Sequence, residues 1–141
     1  MGTHLISSVA LSATLRNEKQ NNSAEFTIKS HRTGKDFTYQ IKRSKFNKIW
    51  YTHVFVEVEY LNFQRIGTYF NGNIFHKKEL VKSISAISIA FVLSKVENNE
   101  FDFLDKNMDL MHIGKCLCCG KPLTDANSIA IGLGPTCSSR M

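Results

Sequence analysis

The chain reads as an α+β protein: an antiparallel β-meander of four to five strands covered by one helix, followed by a small C-terminal zinc finger. Three observations carry that expectation. Apolar and polar residues alternate with a period of two in segments between Ala24 and His76, the mark of half-buried strands. The period lengthens over Glu79 to Val96, where an apolar pattern persists for several turns of helix. All four cysteines lie after residue 115.

Residues 1–23 carry little pattern; Ser7 to Leu15 fits a short helix, and Glu18 to Ser23 is polar and reads as loop. In Glu25-Phe26-Thr27-Ile28-Lys29 the apolar residues share one face. Arg32-Thr33-Gly34-Lys35 is a turn, with Gly34 free to take positive φ. Phe37, Tyr39 and Ile41 then alternate with Thr38, Gln40 and Lys42, which makes a hairpin with a basic outer face. Ser44 to Lys48 is the next connection. Val54, Val56 and Val58 line one side of a further strand, Leu61-Asn62 is a tight turn, Phe63 to Phe70 another strand, and Asn71-Gly72-Asn73 another hairpin turn leading to Ile74 to His76. Over Glu79 to Val96, Val81, Ile84, Ile87 and Phe91 fall on one helical face, broadened by Ala86, Ile89, Leu93 and Val96. The organisation expected is an N-terminal extension over 1–23, a sheet-and-helix domain over 24–97, an acidic connector over 98–111 and a zinc module over 112–141.

The chain has 141 residues, is 43% hydrophobic and 21% charged, and carries a net charge of +6. That composition buries a real core and contains no run of apolar residues long enough to span a bilayer. Met1 to Leu15 is mildly apolar and lacks a basic start, unlike a secretory leader, so the expected location is the cytoplasm. The charge is uneven. From Ile28 to Lys48, seven cations (Lys29, Arg32, Lys35, Lys42, Arg43, Lys45, Lys48) face one anion, Asp36, a local balance of +6. From Glu97 to Met111, five anions face Lys106 alone, a balance of −4.

Cysteines clustered in one short stretch point to a metal site in a reducing compartment rather than to a disulfide scaffold. In Cys116-x-x-Cys119-Gly120 two thiolates three residues apart can grip one tetrahedral ion as the backbone turns between them. Thr124 or Asp125 caps a short helix, Gly132 ends it, and Gly134-Pro135 swings Cys137 back toward the knuckle. A structural zinc takes four ligands. His112, four residues before Cys116, supplies the fourth; Cys118 is the rival, but adjacent cysteines do not easily converge on one ion. The ligand set expected is His112, Cys116, Cys119 and Cys137 around one structural Zn2+, a closed site that leaves no position for catalysis. Binding of that kind contributes about 10–16 kcal/mol in small zinc peptides, which here is folding energy for a tail with little core of its own.

The run His112-x3-Cys116-x2-Cys119-Gly120-Lys121-x-Leu123-Thr124-Asp125, followed by Ser128-Ile129-x2-Gly132-x-Gly134-Pro135-x-Cys137, resembles the C-terminal finger of small uncharacterised bacteriophage and prophage proteins. Weaker matches lie upstream at Ala24-Glu25-Phe26-Thr27, Thr33 to Tyr39, Ile66-Gly67-Thr68-Tyr69 and Ala90-Phe91; nothing carries over between Tyr51 and Phe63. The resemblance implies a phage-type zinc-finger accessory protein working in the cytoplasm of a bacterial host, and it implies no activity.

Three function classes follow. The seven cations named above interleave with Phe37, Tyr39, Phe46, Trp50 and Tyr51, so they could neutralise phosphates while rings stack on bases; nucleic acid, single-stranded by preference, is the leading partner. The same charges suit a small inhibitor that occupies a host enzyme such as a defence nuclease, in the manner of an anti-CRISPR protein. An enzyme is the weakest reading. His4, His31, His53, His76 and His112 are scattered, none beside a recognisable nucleophile or carboxylate pair, and Gly132-x-Gly134-Pro135 lacks the strand and lysine of a phosphate loop.

Overall fold

The structure is a computed structural model that describes residues 4–9, 11–12, 24–60, 62–117 and 121–133. It is an α+β protein, and its sheet has eight strands rather than four or five. The strands are β1 (His4–Ile6), β2 (Ala24–Ser30), β3 (Asp36–Phe46), β4 (Ile49–Glu59), β5 (Asn62–Phe70), β6 (Asn73–His76), β7 (Glu79–Leu80) and β8 (Met108–His112). Among the described residues, three helices with both ends described accompany them: α1 (Ile84–Glu97), α2 (Phe101–Asn107) and α3 (Ala126–Ile131). All neighbours are antiparallel, in the order β1-β8-β2-β3-β4-β5-β6-β7. The meander from β2 to β6 is the expected part. The additions are β7, cut from the start of the expected helix, and the pair β1 and β8. Both edge strands are short, three residues for β1 and two for β7, which limits the backbone left open to another chain.

The turns follow from backbone chemistry. Gly34 closes the β2–β3 turn at φ 71°. Asn47-Lys48, Asn71-Gly72 and Lys77-Lys78 each place two consecutive residues at positive φ, the pattern whose twist matches a two-residue hairpin. Ser44 to Lys48 was expected to be loop; instead the strands run on to Phe46 and resume at Ile49, paired across Asn47-Lys48. β3 and β4 are therefore eleven residues each. At about 3.4 Å per residue they extend roughly 37 Å, against about 21 Å for the fourteen-residue α1. In β5, Gly67 sits at an irregularity in the β4–β5 ladder, and a Cβ there would overlap the carbonyl oxygen of Phe75.

One face of the sheet makes the core. Ile6, Leu110, Phe26, Ile28, Tyr39, Ile41, Val54 and Ile74 point into it and meet Ala86, Ile89, Ala90, Leu93 and Val96 of α1 and Leu104 of α2. The Tyr39 hydroxyl is buried there and donates to the carbonyl of Ser85 at 2.7 Å, which ties β3 to the first turn of α1. Burial pushes that phenol's pKa well above its usual value. The helix begins at Ser83, whose side chain accepts from the Ala86 N–H.

The phase of α1 differs from expectation. Ile84, Ile87 and Phe91 lie on the solvent side, and the set 86, 89, 90, 93 and 96 packs on the sheet. The helix is apolar nearly all round, so either stripe could bury. The stripe with two alanines won, because small side chains let the helix axis approach the sheet and leave room for Tyr39 and Ile89.

The stretch 98–111, expected as an acidic connection, contains α2 and β8. β8 inserts between β1 and β2, pairing Leu110 with both Ile6 and Ile28. Near the start of the chain, Ser8, Val9, Leu11 and Ser12 are helical, Leu11 is fully buried, and the Ser8 N–H donates to the Asp105 carboxylate at 3.0 Å.

Candidate functional site

The expected metal ligands divide between described residues and others. Cys119, Cys137 and the rival Cys118 lie outside the described residues. His112 is the last residue of β8 and is completely buried. Its Nδ1 accepts from the Gly114 N–H at 3.0 Å, and its Nε2 donates to the carbonyl of Ile129 at 2.5 Å. These two bonds define the neutral imidazole with its proton on Nε2. Four residues on, Cys116 is buried and its N–H donates to the Lys121 carbonyl at 2.8 Å. Lys115 and Pro122 form an isolated antiparallel bridge beside it.

Past Pro122, α3 is capped by Asp125, whose carboxylate accepts from the N–H groups of Asn127 and Ser128. It ends at Gly132, φ 78°, whose N–H returns to the Ser128 carbonyl. Gly132 is wedged against Ile6, Leu117 and His112, where a Cβ would come within 3.1 to 3.3 Å of all three. Cys116, Leu117 and Leu133 join the sheet's own core, so the described part of the tail borrows its interior from β1 and β8.

A ligating histidine commonly donates its second ring N–H to a backbone carbonyl, which fixes the ring and directs the other nitrogen at the metal. Here the Ile129 carbonyl holds Nε2–H, and Nδ1 carries the lone pair on the side of the Gly114–Cys116 loop. A metal at Nδ1 would take the place of the Gly114 N–H. Among the described residues, no three His, Cys, Asp or Glu side chains gather into a metal-holding group.

The seven cations do not form one patch. Lys29, Arg32 and Lys35 lie at one end of β3, and Lys42, Arg43, Lys45 and Lys48 at the other. Lys42 lies seven positions beyond Lys35, roughly 24 Å along the strand, more than twice the screening length of about 10 Å at 0.1 M salt. The first group sits among acids. Lys29 is directly opposite Asp36 on one side and Asp109 on the other, and the His31 ring is bonded to the Asp109 carboxylate at 2.7 Å. That bond, with the Lys106 carbonyl at Nδ1, raises the His31 pKa above its usual 6.5.

The second group sits on the overhanging end of the β3–β4 hairpin, and there alternation sorts it by face. Arg43 and Lys45 point to the helix side, where both lie over the Trp50 ring, at 4.9 and 5.7 Å from its centroid. Lys42 points to the open face of the sheet, 5.0 Å from the centroid of Phe55. Tyr51, His53 and Phe55 share that open face on β4, and Arg65 stands opposite Phe55 on β5. At the tip, Phe46 and Ile49 face each other 66% and 55% exposed. Of the aromatics expected to stack on bases, Tyr39 is wholly buried and Phe37 packs on the core. Phe55 and Arg65 were missed; period-two alternation puts Phe55 in step with Tyr51, and that signal was available.

Beside Lys42, His53 bridges Ser44 and Arg65. The Arg65 guanidinium donates to Nδ1 at 3.1 Å, so Nε2 carries the proton and donates to the Ser44 hydroxyl at 2.7 Å. Partial burial and the Arg65 charge hold the His53 pKa below 6.5. A histidine so arranged cannot take the Ser44 proton, the reverse of a nucleophile–base pair.

No helix among the described residues is long and apolar enough to cross a membrane. Residues 111–141 match the model of a family of unknown function (DUF6011), which agrees with a tail similar to uncharacterised proteins. No curated protein and no solved structure matches the chain.

Proposed function

We propose that this chain is a zinc-stabilised nucleic-acid-binding module, of the phage accessory type that its tail resembles, acting in the cytoplasm of a bacterial host. The observation that supports it best is the open face of the overhanging hairpin. Lys42, Tyr51, Phe55 and Arg65 lie side by side on three adjacent strands, on the side away from α1. Tyr51 and Phe55 are four residues apart on one strand, about 14 Å, with His53 midway at about 7 Å from each. Rings on such a surface stack on unpaired bases at about 1–3 kcal/mol per base, and the flanking cations hold the phosphates. Recognition of single strands by a sheet face of this kind needs no helix in a groove.

Zinc, held by His112, Cys116, Cys119 and Cys137, would supply the fourth wall of a tail whose described part leans on β1 and β8. It would be structural: four protein ligands leave no position for water. Ser44 and His53 are assigned a positioning role in the open face and no catalytic one.

The test is binding of a fluorescently labelled single-stranded oligonucleotide. Replacing Lys42, Lys48 and Arg65 together by Ala should weaken it at least tenfold, and replacing Lys29, Arg32 and Lys35 together should change it less than threefold. Equal losses from the two triple variants would contradict the assignment. The second reading, an inhibitor that occupies a host enzyme, is favoured by Phe46 and Ile49, an exposed apolar pair between Lys45 and Lys48 that has the makeup of an interface anchor. Nuclease-resistant capture of one host enzyme, lost on Phe46→Ala with oligonucleotide binding unchanged, would select it.

A further inference from the structure

On the helix side of the hairpin, opposite the open face, a cavity of about 330 Å3 opens between β3–β5 and the C-terminal end of α1. Leu93 and Val96 give it an apolar wall, and Arg43, Tyr69, Asn71 and Glu97 bring polar groups to it. Trp50, the only tryptophan in the chain, lies under the Arg43 guanidinium, 4.9 Å from it.

We infer that this cavity receives one guanine base. The inference deepens the nucleic-acid reading by naming a base that the module selects. Its size is at the lower end for ligand sites, enough for a planar base and too small for a large cofactor. Its walls combine an arginine with a glutamate. An occupant with hydrogen-bond acceptors on one edge and donors on a neighbouring edge would match both. Guanine does so: O6 and N7 accept from a guanidinium, the commonest specific arginine–base contact, while N1–H and the 2-amino group donate to a carboxylate. The carboxylate is held ready. Tyr69 donates its hydroxyl to Glu97 Oε1 and accepts from the Gly72 N–H at 3.1 Å. Among the described residues no hydrogen bond reaches Glu97 Oε2, which is the oxygen left for the base. Adenine offers a donor where guanine has O6, so it would set an amino group against Arg43. Cytosine also carries donors beside acceptors, and the test must separate it.

The full chain is titrated calorimetrically with GMP, IMP, AMP and CMP, and separately with an oligonucleotide carrying one guanine and with a guanine-free one. GMP should bind about tenfold or more tighter than AMP, CMP and IMP, which lacks the 2-amino group. Binding of GMP should change Trp50 fluorescence. Glu97→Gln keeps an acceptor for Tyr69 but turns the base-facing oxygen into a donor, so it should abolish the preference for GMP over IMP without lowering the unfolding midpoint. Arg43→Gln should weaken GMP at least tenfold. A guanine preference in the oligonucleotide pair assigns the cavity to a base in a strand; a preference among mononucleotides alone assigns it to a free guanine nucleotide. Equal binding of the four nucleotides, equal binding of CMP and GMP, or an undiminished preference in Glu97→Gln overturns the inference. Salt-dependent binding of both oligonucleotides alike, with no GMP binding, removes the guanine site and leaves the nucleic-acid reading intact. GMP binding without any oligonucleotide binding does the opposite.

Discussion

His112 on β8 donates its Nε2–H to the carbonyl of Ile129 on α3 at 2.5 Å, and that bond ties α3 to the sheet. The ring is fully buried and neutral, and its second nitrogen faces the loop that leads to Cys116. A zinc ion at Nδ1 predicts about one equivalent of zinc per chain by metal analysis. In zinc-loaded protein, 15N NMR should find Nδ1 metal-bound and Nε2 protonated. Cys137→Ser should release the metal and loosen the tail; Cys118→Ser should do neither. If Cys118→Ser lost the metal while His112→Ala kept it, the fourth ligand would be Cys118.

Gly132 is packed by the same ring. An alanine there would need φ 78° and would press on Ile6, Leu117 and His112 together. Gly132→Ala should lower stability by about 1–3 kcal/mol in chemical denaturation. An unchanged midpoint would mean that α3 is not docked on β1 and β8 as described.

Lys48 occupies the second positive-φ position of the β3–β4 turn, at 65°, where glycine is the residue of least strain. Relief of that strain, less the greater freedom of glycine in the unfolded chain, should make Lys48→Gly more stable by about 0.5–1 kcal/mol. The same change removes one cation from the proposed interface. Stability rising while oligonucleotide affinity falls would separate the turn's local chemistry from its role in binding.

Two histidines should titrate in opposite directions from the ordinary 6.5. His31, bonded to Asp109, binds its proton more tightly when folded. Its contribution to stability is therefore complete below 6.5 and fades as pH rises through the raised value. His53, partly buried beside Arg65, resists its proton when folded, so its contribution is present above 6.5 and declines as pH falls below it. Side-chain NMR titration should find one midpoint on each side of 6.5, and His31→Gln should remove the alkaline part of the stability profile.

The local parts of this structure were legible in the residues. Gly34, Asn71-Gly72, Asp125 and Gly132 punctuate the chain by chemistry that acts within a few positions, and all four stand where expected. The eighth strand was not legible. Met108 to His112 is short, lies in an acidic stretch, and is a strand only because Phe26 and Ile28, some eighty residues earlier, pair with it. The phase of α1 was hidden for a different reason: with apolar residues on all sides, only the fit of Ala86 and Ala90 against Tyr39 chooses the buried stripe. Of the expected metal ligands, His112 and Cys116, singled out by spacing, are both buried. The division of the cations into two groups depended on the unexpected length of β3, which carries Lys42 to Lys45 away from Lys29 to Lys35.

The most direct test of the proposed interface is the salt dependence of single-strand binding. Lys42, Lys48 and Arg65 acting on three phosphates predict a slope of about −2 in log K against log salt, at roughly −0.7 per contact, falling to about −0.7 when the two lysines are replaced by Ala. Affinity that is insensitive to salt, or a slope unmoved by those replacements, would show that the overhanging hairpin is not where a nucleic acid binds.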